Sequence, residues 1–311
     1  MASEQSMMLF AGTSHPEMAK QLAACLKLNL GKAIIETFPD GEIGVQILES
    51  VRGRDVFVLQ TIARRPSFYL MELLILVDAL KRSSARSIVA VIPHYGYARQ
   101  DRRGSGREPI TAKLVANLLE KAGVTRVLTM DLHTEQIQGF FDIPLDNLYA
   151  RPRLVEAVEK LKLNKLVVVT PDIGSIKLAR SYSEALGVEL AIIDKRRINA
   201  EQVETNALIG NVEGCDVLLI DDVCSTGGTL KKASWVCKKA GANRICAAVT
   251  HGLIIGTAFE ESAIEKMLIT DTVPVLEETD RSKLEIVSVA PLFGKAIEYM
   301  IGAKSISSLY S

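Results

Sequence analysis

The chain has 311 residues, of which 48% are hydrophobic, enough to fill the cores of two domains. Lys plus Arg and Asp plus Glu both number 37, so no global field directs the chain to nucleic acid or to a membrane. Five cysteines without a CxxC pair predict reduced thiols in the cytoplasm, and neither a signal peptide nor a membrane span is predicted.

The first motif along the chain is a turn, Phe38–Glu42, between two strand-like segments. Its Pro and Gly are typical turn residues, and it presents one aromatic ring and two carboxylates. Two interpretations remain open from these residues: an ordinary hairpin turn, or a surface that reads a purine and its exocyclic amine.

Strands alternate with helices through the rest of the chain. Apolar runs bounded by turn residues predict strands, and a helical period predicts helices between them. The predicted strands are 55–61, 86–93, 126–131, 165–171, 188–193, 216–221, 244–250 and 285–289, and the example helices are 66–82 and 111–122. This alternation predicts an α/β fold with doubly wound, mainly parallel sheets whose faces are covered.

A weak internal repeat relates the two halves of the chain. Lys121–Val127 resembles Lys239–Ile245 at an offset of 118 residues, and the same offset pairs His133 with His251. The repeat predicts a duplicated domain, with a first domain over 1–147.

The second predicted domain covers 148–311. Its C-terminal segment is expected to pack back on the first domain.

The first half carries eleven more residues than the second between a strand and the helix that follows. Ile88–Pro93 aligns with Val217–Asp222 at an offset of 129 rather than 118, so the extra residues fall within His94–Gly106. An insertion at the carboxyl end of a strand lies where open α/β sheets bind ligands. Arginine forks bind phosphates and stack on rings, so Arg99 and its basic neighbours predict a polyphosphate with a base attached; a solvated basic loop is the alternative.

Polar residues follow three other predicted strands. Asp131–His133 and Pro171–Gly174 place imidazole and carboxylate groups where a divalent metal and phosphate oxygens could meet them, although a strand-end histidine is also often structural. Asp194–Arg197 carries three cations ahead of a polar stretch. It is either an exposed basic turn or a mobile loop that closes on a phosphate ester.

The most informative segment is Asp216–Thr229. An apolar strand ends in Asp221 and Asp222, and then Ser225–Thr229 opens a helix that contains Trp235, predicted to be core. Glycines allow close backbone approach, and a helix N-terminus offers unpaired N–H groups to an anion. Carboxylates suit sugar hydroxyls or magnesium. The segment therefore predicts a sugar phosphate held at both ends, with a strand-turn-helix bearing solvated acids as the alternative.

In this order, the motifs resemble those of class I ribose-phosphate pyrophosphokinases, also called PRPP synthetases, over essentially the whole chain. The Asp221–Thr229 loop is shared with phosphoribosyltransferases generally, whereas Ala98–Asp101 and Asp194–Arg197 are more specific. The other matching motifs are Phe38–Glu42, Gly96–Arg103, Arg107–Lys113, Asp131–His133, Gln136–Phe141 and Pro171–Gly174.

The resemblance implies two type I phosphoribosyltransferase-like domains and a cytoplasmic, homohexameric enzyme of nucleotide biosynthesis. The family transfers the pyrophosphoryl group of ATP to the 1-hydroxyl of ribose 5-phosphate, which gives 5-phosphoribosyl 1-pyrophosphate (PRPP) and AMP. The resemblance further implies that magnesium is the cofactor, that the protein is a homo-oligomer, and that neither nucleic acid nor a membrane is a partner.

The resemblance also implies the residues of the nucleotide and metal sites. The residues implied to bind ATP are Phe38, Asp40, Gly41, Glu42, Arg99, Gln100 and Asp101. Of these, Phe38, Asp40 and Glu42 are implied to reach the adenine of ATP bound on a neighbouring subunit. His133 and Asp172 are implied to associate with magnesium.

The remaining implied residues belong to the second domain. Lys195 and Arg197 are implied to be catalytic, and Arg197 also to contact ribose 5-phosphate. The other residues implied to bind ribose 5-phosphate are Asp221, Asp222, Ser225, Thr226, Gly227, Gly228 and Thr229.

Two residues depart from the family pattern. Ser225 stands where the family normally has Asp, and Ser175 where a second Gly is usual, so Ser175 is expected to restrict backbone approach to the substrate. These departures leave a second hypothesis, a catalytically weakened homologue that regulates or co-assembles with an active synthetase. A phosphoribosyltransferase would not explain the duplication or the insertion, and a DNA-binding regulator would need a helix-turn-helix that is not visible.

Overall fold

A computed structural model of the chain describes residues 7–196, 205–253 and 261–310. The described strands are β1 (Met7–Ala11), β2 (Ala33–Thr37), β3 (Ile43–Ile47), β4 (Asp55–Leu59), β5 (Ser87–Ile92), β6 (Arg126–Met130), β7 (Leu145–Leu148), β8 (Val167–Thr170), β9 (Glu189–Arg196), β10 (Thr205–Ile209), β11 (Val217–Cys224), β12 (Ile245–Gly252), β13 (Lys266–Thr270) and β14 (Leu284–Val287). The described α-helices are α1 (Pro16–Cys25), α2 (Pro66–Arg82), α3 (Thr111–Ala122), α4 (Arg151–Lys160), α5 (Ile176–Leu186), α6 (Gly228–Lys239) and α7 (Ala290–Ile301).

The elements predicted from periodicity are present. Helices α2 and α3 have the predicted bounds, and every predicted strand is found with ends that shift by at most three residues. The largest extensions are at the carboxyl ends of β9 and β11. The fold class, α/β with mainly parallel sheets, is confirmed.

The chain divides into two compact units. The first unit comprises Met1–Tyr149, Thr272–Pro274 and Val289–Ser311. Its five-stranded sheet has the order β1-β4-β5-β6-β7, with every pairing parallel. Helix α7, from the end of the chain, packs within this unit against α1.

A separate two-stranded sheet in the first unit carries the Phe38–Glu42 turn. Strands β2 and β3 pair antiparallel, so the turn lies at the tip of a hairpin. Gly41 has φ +91°, a left-handed conformation that glycine adopts without steric cost. The turn chemistry thus produces the hairpin that the sequence predicted.

The second unit comprises Ala150–Asp271 and Val275–Ser288. Its seven-stranded sheet has the order β10-β9-β8-β11-β12-β13-β14, and only the β9–β10 pairing of these is antiparallel. Within this sheet, β9 lies on one side of β8 and β11 lies on the other side. The strand order therefore reverses between β8 and β11, which is where sheets of this kind bind ligands, beyond the carboxyl ends of the strands.

The central strands of the second unit are buried along their whole length. All four residues of β8 and all eight residues of β12 are buried, as expected for parallel strands covered on both faces. Trp235 does not join this core: it is 45% exposed on α6, and its indole N–H donates to the Glu261 carbonyl oxygen. The prediction of a core tryptophan is wrong because the indole covers an outer face of the helix.

A buried acid joins strand ends to a helix in the first unit. Glu72 on α2 is 1% exposed. Its carboxylate accepts hydrogen bonds from the Thr13 amide (2.7 Å), the Thr13 hydroxyl (2.7 Å) and the Gln60 side-chain amide (2.6 Å). Thr13 follows β1 and Gln60 follows β4, so one side chain ties the carboxyl ends of two neighbouring strands to α2.

We expect Glu72→Ala to lower the free energy of unfolding by about 2–4 kcal/mol, because it leaves buried donors without their acceptor. Met71→Ala is the matched control, since Met71 is the preceding residue on the same helix and is 52% exposed. Urea unfolding followed by far-ultraviolet circular dichroism measures both. Equal stability of the two variants would contradict this role for Glu72.

Candidate active site

The acid pair of the second unit lies near the carboxyl end of β11. Asp221 is 9% exposed and Asp222 is half-buried, so the alternative of two solvated acids is wrong for Asp221. The Asp222 amide donates to Asp221 Oδ1 at 3.0 Å. The Ser175 hydroxyl donates to the same oxygen at 3.0 Å.

The segment after β8 reaches this acid pair because β8 and β11 are parallel neighbours. Asp172 follows β8, and its Oδ1 accepts a hydrogen bond from the Ser175 amide at 3.1 Å. The structure therefore brings together three residues from two strand ends, Asp172, Ser175 and Asp221. Adjacency of the β8 and β11 ends follows from the parallel order, but the bridging role of Ser175 has no signature in the sequence.

The environment of Asp221 alters its ionisation. Burial is the main cause that raises the pKa of this carboxyl to about 7, and the neighbouring Asp222 and Asp172 carboxylates raise it further. The Ser175 hydroxyl acts in the opposite direction, because it donates to the charged form. A carboxyl whose pKa is raised by burial and by neighbouring carboxylates is a candidate for a functional site.

The loop after β11 presents an open helix N-terminus. Gly227 is the N-cap of α6, has φ +75°, and no side chain caps the helix. The Gly228 amide has only a long contact, 3.5 Å, with the Thr226 hydroxyl. Uncapped first-turn amides and the helix dipole together form a site for an anion, as the Ser225–Thr229 motif predicts.

The first predicted catalytic cation, Lys195, lies within the carboxyl end of β9. The strand continues through Asp194 and Lys195 to Arg196 because β10 pairs with it, Lys195 opposite Asn206. Lys195 thus lies on β9, which is separated from β11 by β8 alone. Arg197 lies outside the described residues.

The predicted insertion of the first unit, His94–Gly106, is anchored at its start. Gly96 packs closely against the loop that follows β4. A Cβ atom added at Gly96 would lie 2.4 Å from the Ile62 side chain. The buried Tyr95 hydroxyl donates to the Ala112 carbonyl oxygen at 3.0 Å. Tyr97 adopts a left-handed φ of +65°, an uncommon conformation for a bulky residue, just before Arg99.

The residues after this anchor keep their positive charge uncompensated. Gln100 is held by two residues at the N-terminus of α3. Its backbone carbonyl accepts a hydrogen bond from the Ala112 amide at 3.2 Å, and its side-chain Oε1 accepts one from the Thr111 hydroxyl at 2.5 Å. Arg99, Arg102, Arg103 and Arg107 are exposed, and none has an ion-pair partner among the residues that the structure describes. An anion that arrives here meets arginines that form no ion pair with a carboxylate of the described residues.

Asp101 connects the insertion to the strand end that carries His133. Its Oδ2 accepts a hydrogen bond from the Thr134 hydroxyl at 2.8 Å, and His133 is exposed beside it. Arg99, Gln100, Asp101 and His133 therefore belong to one connected region of the first unit. Thr134 was not identified from the sequence, since a single threonine beside a histidine carries no distinctive pattern.

The Phe38–Glu42 hairpin tip presents its side chains outward. Phe38 is 43% exposed, and Asp40 and Glu42 are exposed. The Glu42 amide donates to Asp40 Oδ1 at 3.1 Å, which orders the tip. Within the described ranges, no hydrogen bond or ion pair joins these side chains to the insertion.

Metal ligands are sparse in the described part of the chain. It contains no group of three or more His, Cys, Asp or Glu side chains arranged to hold a metal ion. In the same residues, no helix combines the length and apolar character needed to cross a bilayer.

Comparisons with known proteins cover nearly the whole chain. Residues 7–123 match the family model of the N-terminal domain of ribose phosphate pyrophosphokinase, and residues 148–276 match that of the phosphoribosyl transferase domain. The chain is 48% identical over 305 residues to a ribose-phosphate pyrophosphokinase from Wolinella succinogenes, covering 97% of this chain and 98% of the relative. It is 49% identical over 311 residues to one from Chlorobaculum tepidum, covering 99% and 96%.

A solved structure is also similar over nearly the full length. The crystal structure of phosphoribosylpyrophosphate synthetase from Mycobacterium smegmatis matches with a TM-score of 0.91 and 40% sequence identity, covering 96% of this chain and 99% of that one.

The raised pKa of Asp221 predicts a pH-dependent effect of Asp221→Asn on stability. The folded-state pKa of about 7 lies above the ordinary 3.8, so the protonated carboxyl stabilises the fold at low pH. That contribution is lost as the pH rises from 3.8 through about 7. Asparagine does not titrate, so we expect the variant to be more stable than wild type by about 1–3 kcal/mol near pH 8, and by less near pH 5.

Urea unfolding of both proteins across this pH range measures the difference. A stability difference that stays constant or shrinks as the pH rises would contradict the raised pKa.

Proposed function

Because the chain belongs to the ribose-phosphate pyrophosphokinase family, we infer that its two units supply the nucleotide half and the ribose 5-phosphate half of the family reaction. The chain catalyses PRPP formation: the pyrophosphoryl group of ATP moves to the 1-hydroxyl of ribose 5-phosphate, and AMP leaves. The observation that carries the residue assignment is the pair formed by the buried Asp221 and the half-buried Asp222, which precedes an uncapped helix at the end of β11.

The second unit binds ribose 5-phosphate in this proposal. The Asp221 and Asp222 carboxylates accept hydrogen bonds from ribose hydroxyls, which can donate to them in place of water. The 5-phosphate is bound by the backbone amides and hydroxyls of Ser225–Thr229. Support comes from the uncapped first turn of α6, whose dipole favours a dianion.

The first unit binds ATP in this proposal. Arg99 and Gln100 contact the nucleotide, and Asp101 supports them through its link to Thr134. The exposed, unpaired arginines of the insertion favour a polyphosphate, because a guanidinium fork contacts phosphate oxygens at two points.

The hairpin tip serves the adenine of ATP on a neighbouring copy of the chain. Phe38 stacks on the base, while Asp40, Gly41 and Glu42 offer acceptors and backbone groups to its exocyclic amine. Support comes from the outward exposure of these residues and from the lack of a link to the insertion of the same chain within the described residues. This arrangement requires a homo-oligomer, and we propose the hexamer that is typical of the family.

Catalysis relies on positioning and electrostatics. The 1-hydroxyl oxygen of ribose 5-phosphate attacks the β-phosphorus of ATP and loses its proton to solvent water, while the bond from the β-phosphorus to the α–β bridging oxygen breaks. The bridging oxygen leaves with its electron pair on AMP. Lys195 and Arg197 stabilise the negative charge that develops on the transferred group, which is the chief means by which proteins accelerate phosphoryl transfer.

Magnesium fits the donors that the chain offers. Proteins usually bind this ion through one or two carboxylates together with substrate phosphates, so a large cluster of protein ligands is not required. Asp172, a half-buried carboxylate, fits as an oxygen ligand in the second unit, and His133 is the candidate in the first, although imidazole is a less usual ligand for this ion. When bound, magnesium neutralises phosphate charge.

A cytoplasmic location agrees with the thiol chemistry. None of the five cysteines, all within the described residues, forms a disulfide, as expected in a reducing compartment. The alternative of a purely regulatory homologue gains no support from Lys195 and Arg197, because such a copy has no need to retain them.

We expect purified protein to form AMP and PRPP from ATP, ribose 5-phosphate and magnesium in the presence of phosphate. Lys195→Ala should lower kcat about 100- to 1000-fold, the usual effect of removing a group that stabilises transition-state charge. Lys160→Ala, at the exposed end of α4, is the control and should keep wild-type turnover. Wild-type protein without AMP release would instead support the regulatory homologue.

Ser225→Asp tests whether the missing carboxylate weakens the enzyme. If the family's aspartate orients ribose or promotes ionisation of its 1-hydroxyl, its restoration should raise kcat about 10-fold or more, measured as AMP release. Thr226→Asp is the matched control, because it adds the same charge one residue along the phosphate loop and should weaken substrate binding by repulsion. No gain from Ser225→Asp would show that Ser225 is not a defect.

A further inference from the structure

Ser175 occupies a helix N-cap but does not cap the helix. It precedes α5 with φ −91° and ψ 9°, and its side chain makes no capping hydrogen bond. Serine at this position ordinarily accepts a hydrogen bond from an amide of the first turn. Here the hydroxyl instead donates to Asp221 Oδ1, on a different strand, at 3.0 Å.

The same residue also contacts the second acid of the site. The Ser175 amide donates to Asp172 Oδ1 at 3.1 Å. One residue therefore contributes two donors to two carboxylates, one after β8 and one on β11. Both donors come from a neutral group, so they compensate part of the negative charge without forming an ion pair.

The Asp221 carboxylate needs such a donor to keep one orientation. It is buried, and the charge of its chain neighbour Asp222 acts against it. Two donors converge on Oδ1, the Ser175 hydroxyl and the Asp222 amide. The amide is adjacent in the chain and moves with the strand, so among the described residues only Ser175 fixes the carboxylate from outside β11.

We propose that Ser175 is a positioning residue, which holds the Asp221 carboxylate in the orientation that receives the ribose hydroxyls of ribose 5-phosphate. The inference rests on the role of Asp221 under the proposed function. It reverses the expectation from the sequence, in which a serine at this position only obstructs the approach of substrate.

Removal of the hydroxyl tests the proposal through the KM values of the two substrates. We expect Ser175→Ala and Ser175→Gly to raise KM for ribose 5-phosphate about 5- to 20-fold, the effect of losing one hydrogen bond to a charged group. KM for ATP should stay within about 2-fold of wild type, because the nucleotide residues belong to the first unit. Glycine is the residue usual in the family here, so at least one of the two variants is expected to fold.

Two further variants separate positioning from a structural role. Ser175→Thr keeps the hydroxyl and should restore KM for ribose 5-phosphate to within about 2-fold of wild type. Ser181→Ala is the matched control, because it removes a hydroxyl from the same helix that donates only to the Leu178 carbonyl oxygen. It should leave both KM values unchanged.

Calorimetric titration of ribose 5-phosphate into Asp221→Ala and Ser175→Ala/Asp221→Ala completes the test. If Ser175 acts through Asp221, adding Ser175→Ala to Asp221→Ala should change Kd by less than about 2-fold. An unchanged or lower KM for ribose 5-phosphate in Ser175→Ala and Ser175→Gly would overturn the proposal and leave the role of Asp221 intact. Wild-type affinity in Asp221→Ala would overturn the role of Asp221 and the proposal with it.

Discussion

The parallel pairing of β8 with β11 is the constraint on which the proposed sugar-phosphate site depends. It places two strand ends side by side at the point where the strand order reverses, and each end delivers acids to the same edge. Burial of Asp221 there opposes ionisation, and the hydroxyl of Ser175 offsets part of that cost. Under the proposed function, this carboxylate accepts hydrogen bonds from sugar hydroxyls in place of water.

Each unit carries a local cluster of one charge, acids in the second unit and arginines in the first. In the second unit the acids gather at one strand junction, followed by a helix whose N-terminal amides attract a phosphate. In the first unit the arginines of the insertion are exposed, on a backbone whose start is fixed by close packing of Gly96 on Ile62 and by the hydrogen bond from Tyr95 to Ala112 on α3. Substrates that combine phosphates with sugar hydroxyls complement both patterns, and this explains why an enzyme with zero net charge handles two polyanions.

Much of the architecture could be predicted because local patterns decide it. The bounds of α2 and α3 followed from the helical period, and the buried strands from continuous apolar runs. The extension of β9 through Lys195 could not be predicted, because pairing with β10 stabilises polar residues that have little strand propensity of their own. The bond from Ser175 to Asp221 could not be predicted for a similar reason: it spans 46 residues of sequence and exists only in the folded sheet. Arg197 remains a prediction outside the described residues.

A crystal structure with ribose 5-phosphate, magnesium and an ATP analogue that cannot be cleaved between its α- and β-phosphates tests the central claim most directly. The account predicts the 5-phosphate on the amides of Ser225–Thr229 and a ribose hydroxyl within hydrogen-bonding distance of Asp221, with Ser175 still bonded to that carboxylate. A ribose 5-phosphate bound elsewhere, with Asp221 turned away from the sugar, would contradict it.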